Sequence, residues 1–174
     1  ALKHILKDER IQKAIYITNA LYTADFTHPK LEVLKQILYE EFNKNPDLRV
    51  IVFNHYRDSI EYLEKELNKT GYVKAKKFVG QASKLRSNGM KQKEQIKVIQ
   101  DFKDGKYNVL LATSVAEEGL DIPSVDLVIF YEPVPSDIRT IQRRGRTGRF
   151  EKGRVIVLIA RHTRDEPYYW SAVS

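Results

Sequence analysis

The sequence contains no cysteine, only one tryptophan and one methionine, and no long hydrophobic run. Without cysteine the chain can form no disulfide, no thiolate nucleophile and no cysteine-ligated zinc site. No apolar stretch approaches the roughly 20 residues that cross a bilayer, and residues 1–10 lack the uninterrupted apolar core of a secretory signal. These absences predict a cytoplasmic protein without a membrane partner.

Acidic residues are outnumbered by basic ones, 23 against 30, which gives the 174-residue chain a net charge of +7. A surplus of positive charge favours a polyanionic partner such as nucleic acid. Whether the chain binds one depends on where the charges lie. The length suits one compact α/β domain with an appendage, because it is short for two independent cores.

Two regions are expected, a helical lead at residues 1–27 and an α/β domain at residues 28–174. The lead has apolar residues at helical spacing and ends before Pro29, which suits the first turn of a new helix. Leu31, Leu34, Leu38 and Phe42 would form one apolar side of that helix.

Short apolar runs then alternate with helix-length segments. Strands are predicted at residues 49–54, 72–80, 107–112, 126–131 and 154–160, and helices at 59–71, at 90–103 and from Ser136 onward. In the helix at 90–103, Ile96, Ile99 and Phe102 recur three apart. Uninterrupted apolar strands joined through helices predict a mostly parallel sheet buried on both faces, with ligands at its carboxyl edge.

Residues 139–149, RTIQRRGRTGR, hold five arginines, two glycines and no carboxylate. Such a cluster costs Coulomb energy unless solvent screens it or a multivalent anion lies between the side chains. The guanidinium fork matches phosphate oxygens bidentately, so a phosphate ligand is favoured over a merely solvated basic face.

The arginine segment also carries a family resemblance. QRRGRTGR (142–149) and ATSVAEEGLDIPSVDLVI (112–129) resemble motifs VI and V of superfamily 2 helicases, and IVFNHYR (51–57) is similar to motif IV. Together with FVGQASK (78–84), residues 130–149 and the tail at 163–170 are most similar to the archaeal Hef and Fanconi-anaemia M-type DNA helicase-translocases. The resemblance implies the second RecA-like domain of a motor, a three-layer sandwich around a mostly parallel sheet.

By this resemblance, Arg146 and Arg149 would be arginine fingers that touch the γ-phosphate of ATP, and Gln142 would orient the phosphates or the attacking water. Gly119 and Asp121 would face the nucleotide. Most of the ATP and its Mg²⁺ would be held by an N-terminal RecA-like domain of the same protein.

Nucleic-acid contacts are expected from loops that follow three strands. Small and hydroxyl-bearing residues allow a phosphate to approach closely, and basic residues supply charge. The candidates are His55, Arg57, Gly80, Gln81, Lys84 and Thr113. Two alternatives stay open. His55 could be a solvated or core imidazole without a nucleic-acid contact, and residues 85–93 could form a solvated loop. Asn54 stands where related proteins often have threonine, which puts a hydroxyl contact there in doubt.

Other features of these loops have plainer interpretations. Ser114 and Glu117 fit a capping box, S-x-x-E, which opens a short helix. Glu117 and Glu118 lack further ligands at suitable spacing, so no metal site is expected. Ten tyrosines are scattered rather than interleaved with basic residues, which favours packing over base stacking. Residues 168–170, Tyr-Tyr-Trp, are expected to anchor the terminal segment or to continue toward a further helix.

The sequence has no G-x-x-x-x-G-K-[ST] phosphate loop and no DExx strand end. It therefore predicts half an active site, and a fragment that alone hydrolyses ATP negligibly. The leading interpretation is the second motor domain of a DNA helicase or translocase for branched or forked DNA. The alternatives are an RNA-sensing or RNA helicase domain of the same superfamily and a non-enzymatic nucleic-acid-binding module. A metabolic nucleotide-binding domain would explain the fold but not the arginines.

Overall fold

The structure, a computed structural model, describes residues 5–24, 26–80, 90–113, 124–136 and 153–173. Helices and strands alternate along most of this length. Numbered in chain order, they are α1 (Glu9–Thr23), α2 (Pro29–Lys44), β1 (Val50–Phe53), α3 (Arg57–Asn68), β2 (Ala75–Phe78), α4 (Gln92–Lys103), β3 (Val109–Ala112), β4 (Leu127–Phe130), β5 (Arg154–Val157) and α5 (Asp165–Val173).

The first two helices begin at clear capping residues. Asp8 caps α1 by accepting a hydrogen bond from the backbone N–H of Arg10, and the side chain of His28 accepts from Lys30 at the start of α2. Pro29 occupies the first turn of α2, as predicted. The helix α1 has no buried residue, whereas α2 buries the predicted apolar side, Leu31, Leu34, Leu38 and Phe42.

The five described strands form one sheet in the order β2-β3-β1-β4-β5, and every neighbouring pair is parallel. The predicted parallel sheet is therefore confirmed. Every residue of β1, β3 and β4 is buried, so the centre of the sheet is covered on both faces.

Burial on both faces does not extend to β5. Its residues are exposed or half-buried, and Val155 is 46% exposed. The prediction of burial was wrong for this strand because β5 lies at the edge of the described sheet, with β4 as its only neighbour there.

Glycines with positive φ follow two helices. Gly71 (φ 83°) follows α3 and Gly105 (φ 79°) follows α4, a conformation that costs other residues energy. The helix α3 begins at Arg57, two residues before its predicted start.

The buried face of α4 agrees only in part with the predicted spacing. Phe102 is buried and Ile99 packs against the core, but Ile96 is 58% exposed, and Gln95 and Val98 are buried in addition. Gln95 is accommodated there because its side-chain amide donates to the carbonyl of Val79 at 2.9 Å.

The terminal helix α5 contains the aromatic residues 168–170 and exposes two of them. Trp170 is 64% exposed and Tyr168 is 42% exposed, whereas Ala172 is buried. Tyr169 is half-buried and meets the Trp170 ring edge-on, with centroids 5.3 Å apart, so whether residues 168–170 anchor the segment or continue toward a further helix stays a prediction. Among the described helices, none has the length and apolarity to span a membrane.

Candidate nucleic-acid and nucleotide interface

The five strands end at one level of the sheet. Phe53 of β1 aligns with Ala112 of β3 and Phe130 of β4, while Phe78 of β2 and Val157 of β5 occupy the same register at the flanks. Because the strands are parallel, the segments that follow them leave from the same edge. The predicted gathering of polar strand-end residues at one edge is confirmed for the described ones.

Asn54 shapes the turn after β1. Its backbone N–H donates to the carbonyl of Ala112 at 3.0 Å, and its side-chain oxygen accepts from the N–H of Tyr56 at 3.1 Å. The residue is 3% exposed, and its side-chain nitrogen has no hydrogen-bond partner within the described ranges. Asn54 thus stabilises the turn itself. This role was not predicted from the sequence, where Asn54 was noted only because related proteins often have threonine at that position.

His55 and Arg57 follow from this turn. The N–H of His55 donates to a carboxylate oxygen of Glu132 at 3.3 Å, which joins the ends of β1 and β4. The His55 ring is exposed and meets Tyr56 edge-on, with centroids 4.9 Å apart. Arg57 is half-buried and is the first residue of α3. A helix N-terminus beside a guanidinium is favourable for an anion.

Gly80 and Thr113 follow the strands β2 and β3. Gly80 is buried two residues beyond β2, where its carbonyl accepts from the N–H of Met90 at 3.2 Å. Thr113 is half-buried and directly follows β3. His55, Arg57, Gly80 and Thr113 therefore belong to the same edge of the sheet.

The remaining predicted site residues lie outside the described parts of the chain, and their roles stay predictions. They are Gln81, Lys84, Gly119, Asp121, Gln142, Arg146 and Arg149. The capping box of Ser114 and Glu117 and most of the helix predicted from Ser136 also fall there. In the described ranges, no three histidine or carboxylate side chains are grouped as metal ligands.

A buried ion pair near this edge was missed by sequence reasoning. Lys30 of α2 pairs with Asp165 at the start of α5, and its ammonium donates to the carbonyl of Tyr131 at 2.9 Å. The same Asp165 carboxylate accepts from the N–H of Ala160 at 2.9 Å. Burial and, to a lesser extent, the charge of Glu132 raise the pKa of Tyr131 to about 12, so its hydroxyl stays protonated at neutral pH.

Residues 29–151 match the family of the helicase conserved C-terminal domain. Over 171 residues, the chain is 50% identical to a putative ATP-dependent RNA helicase of Methanocaldococcus jannaschii and 43% identical to the ATP-dependent DNA helicase mph1 of Neurospora crassa. Over 154 residues, it is 40% identical to the Fanconi anemia group M protein homolog of Mus musculus. These matches cover 98%, 95% and 82% of this chain, but only 21%, 15% and 8% of the three relatives.

Solved structures agree with these matches. The crystal structure of the Pyrococcus furiosus Hef helicase domain superposes with a TM-score of 0.76 at 51% identity, over 98% of this chain and 34% of that one. The C-terminal domain of the DEAD-box protein Dbp5 gives a TM-score of 0.60 at 26% identity, over 83% of this chain and 76% of that one. The predicted RecA-like fold is confirmed. The chain thus belongs to the helicase conserved C-terminal domain family of superfamily 2, among relatives of the Hef, Mph1 and Fanconi anemia group M type.

Proposed function

We propose that the chain is the second motor domain of an ATP-dependent DNA helicase or translocase that acts on branched or forked DNA. The observation that carries this proposal is the common register of the strands, which brings His55, Arg57, Gly80 and Thr113 to one edge of a RecA-like sheet. An N-terminal RecA-like domain of the same protein is the proposed partner.

The edge binds the phosphate backbone of one nucleic-acid strand. Arg57 supplies positive charge beside the N-terminus of α3. Thr113 offers a hydroxyl at a position where a longer side chain would keep the phosphate backbone away. The same nucleic-acid strand is proposed to contact four further residues, which follow β1 or β2 in the sequence: His55, Gly80, Gln81 and Lys84. Contacts of this kind fix register without reading sequence, which suits a motor that moves along DNA.

ATP is proposed to bind between the two motor domains. Arg146 and Arg149 stabilise the charge that develops on the transferred phosphoryl group, while Gln142 orients the phosphates or water. Gly119 and Asp121 face the nucleotide, and Mg²⁺ is held mainly by the partner domain. The motif resemblance of residues 112–129 and 142–149 supports these roles, as do relatives named ATP-dependent helicases.

Hydrolysis can be coupled to movement through this arrangement. Nucleotide between the domains draws the arginines of this chain toward the phosphates, and hydrolysis releases them. The nucleic-acid contacts at the carboxyl edge of this sheet then shift relative to the nucleic-acid contacts of the other domain.

Arg57→Ala tests the nucleic-acid side of the proposal. In the intact protein that contains this chain, we expect the variant to bind forked DNA more weakly and the salt slope to fall by about 1, because one phosphate contact is lost. Affinity is measured by fluorescence anisotropy over a series of salt concentrations. Arg161→Ala, which removes an exposed arginine outside the proposed contacts, is the control and should change neither quantity.

RNA is the second candidate substrate, because the relative from Methanocaldococcus jannaschii is named a putative RNA helicase. Competition between labelled forked DNA and unlabelled RNA of matched length separates the two. The DNA proposal expects RNA to compete poorly and to stimulate ATP hydrolysis less than DNA does. Stronger competition and stimulation by RNA would replace DNA with RNA as the substrate, and no hydrolysis with either would favour a non-enzymatic binding module.

A further inference from the structure

A cavity of about 530 Å³ opens beside the proposed backbone contacts. It lies where the segments after β1 and β4 meet the start of α5. Its wall includes His55, Tyr56, Pro133, Pro135, Arg164 and Tyr168.

The wall of this cavity combines accessible aromatic rings with positive charge. Tyr56 is 61% exposed and Tyr168 is 42% exposed, so both rings can meet a ligand. The guanidinium of Arg164 lies 5.2 Å from the centroid of the Tyr168 ring and donates to its hydroxyl. The His55 ring packs edge-on against Tyr56. Aromatic rings beside an arginine form a surface on which a flat, electron-rich ring stacks well.

Two carboxylates also line the cavity, and protein donors hold both of them. Glu132 accepts from the N–H of His55 at 3.3 Å. Asp165 pairs with the buried ammonium of Lys30 and accepts from Ala160. The acidic side chains therefore serve the local fold, and the exposed rings are left for a ligand.

We propose that this cavity receives an unstacked nucleobase of the strand whose backbone His55 and Arg57 contact. The inference rests on the proposed function, because it places the base and its phosphate on consecutive residues, Tyr56 and Arg57. The cavity is large enough for a base with its sugar, and Pro133 and Pro135 supply apolar contact to one side of it. Stacking depends on the π-face that every base has, so the site holds a single strand without selecting its sequence.

The test compares two single-stranded DNA ligands on the intact protein, an oligo-dT and an abasic strand of equal length. We expect the double variant Tyr56→Ala/Tyr168→Ala to bind oligo-dT roughly 5- to 100-fold more weakly, as lost base stacking predicts, and to bind the abasic strand unchanged. Tyr56→Phe/Tyr168→Phe keeps both rings and should bind like the wild type. Tyr16→Ala on α1, where Tyr16 is 75% exposed, is the matched control and should have no effect.

A second measurement does not depend on the variants. Oligo-dT carrying 5-iododeoxyuridine, irradiated on the wild-type protein, should crosslink to Tyr56 or Tyr168. Crosslinks that map elsewhere, or an equal loss of oligo-dT and abasic binding in the alanine variant, would overturn the base site. Failure of the proposed function is distinguishable, since the wild type would then bind neither strand and Arg57→Ala would change nothing.

Discussion

At the scale of single residues, Lys30 joins three distant parts of the chain. Its side chain is 10% exposed, and it connects α2 to Tyr131 after β4 and to Asp165 at the start of α5. The ammonium also lies 5.7 Å from the centroid of the Tyr131 ring. Since the Asp165 side chain is only 18% exposed, loss of Lys30 would leave a carboxylate largely buried without its cation.

Lys30→Ala is therefore expected to lower the free energy of unfolding by about 3 kcal/mol, the lower end of the range for removing one partner of a buried ion pair. Lys30→Met, which keeps most of the volume, should lose nearly as much if charge rather than packing decides. Equilibrium unfolding in urea measures both variants.

Lys35→Ala provides the matched control on the same helix. Lys35 pairs with Glu32, whose side chain is 65% exposed, so about 0–1 kcal/mol is expected. An equal loss in Lys30→Ala and Lys35→Ala would contradict the importance of the buried pair.

At the scale of elements, the exposed strand β5 is tied to α2 through one ion pair. The guanidinium of Arg154 donates to Glu41, whose side chain is 9% exposed, and the backbone N–H of Arg154 donates to the carbonyl of Asp126 at 2.9 Å. Burial alone would raise the pKa of Glu41. Hydrogen bonds from Arg154 and Lys44 outweigh burial, and the pKa falls below its ordinary value of 4.5.

Arg154→Ala should lower the free energy of unfolding by about 1 kcal/mol at neutral pH, because the arginine side of the pair is largely solvated. Since the folded pKa of Glu41 lies below its unfolded value, the stabilisation is present above pH 4.5 and is lost as pH falls through the folded pKa. Urea unfolding from pH 7 to pH 3 should show the wild type and the variant converge. A difference that stays constant over this range would contradict the link to Glu41.

Sequence patterns predicted the elements well but not all of their environments. The runs that form β1, β3 and β4 were recognised because buried parallel strands are continuously apolar. The run around β5 is equally apolar, and its exposure follows from its place at the sheet edge, which no local pattern encodes. For α4, the spacing of Ile96 and Phe102 allowed more than one face, and the hydrogen bond from Gln95 to Val79 let a polar residue enter the core.

The candidate site was predictable to the same limited degree. His55, Gly80 and Thr113 could be assigned to one edge because parallel strands fix where their following segments leave. The aromatic cavity could not, since Tyr56 and Tyr168 are more than a hundred residues apart and neither has a stacking pattern around it. These two rings line one cavity only because the fold brings the start of α5 close to the segments that follow β1 and β4.

At the scale of the whole molecule, we propose that this chain forms one half of an ATP-hydrolysing centre. Because the sequence has no phosphate loop, the proposal assigns the cradle for the ATP phosphates to a second domain. The arginines would then serve hydrolysis, whereas the residues after β1, β2 and β3 would serve DNA.

DNA-stimulated ATP hydrolysis by the intact protein tests this division of labour most directly. Arg146→Ala and Arg149→Ala are expected to lower the turnover rate by about 10³-fold or more, as the loss of an arginine finger does, while affinity for forked DNA stays close to that of the wild type. Arg161→Ala should retain both. Retained turnover in the two variants, together with weaker DNA binding and a flatter salt dependence, would mean that these arginines only bind backbone phosphates, and would contradict the account.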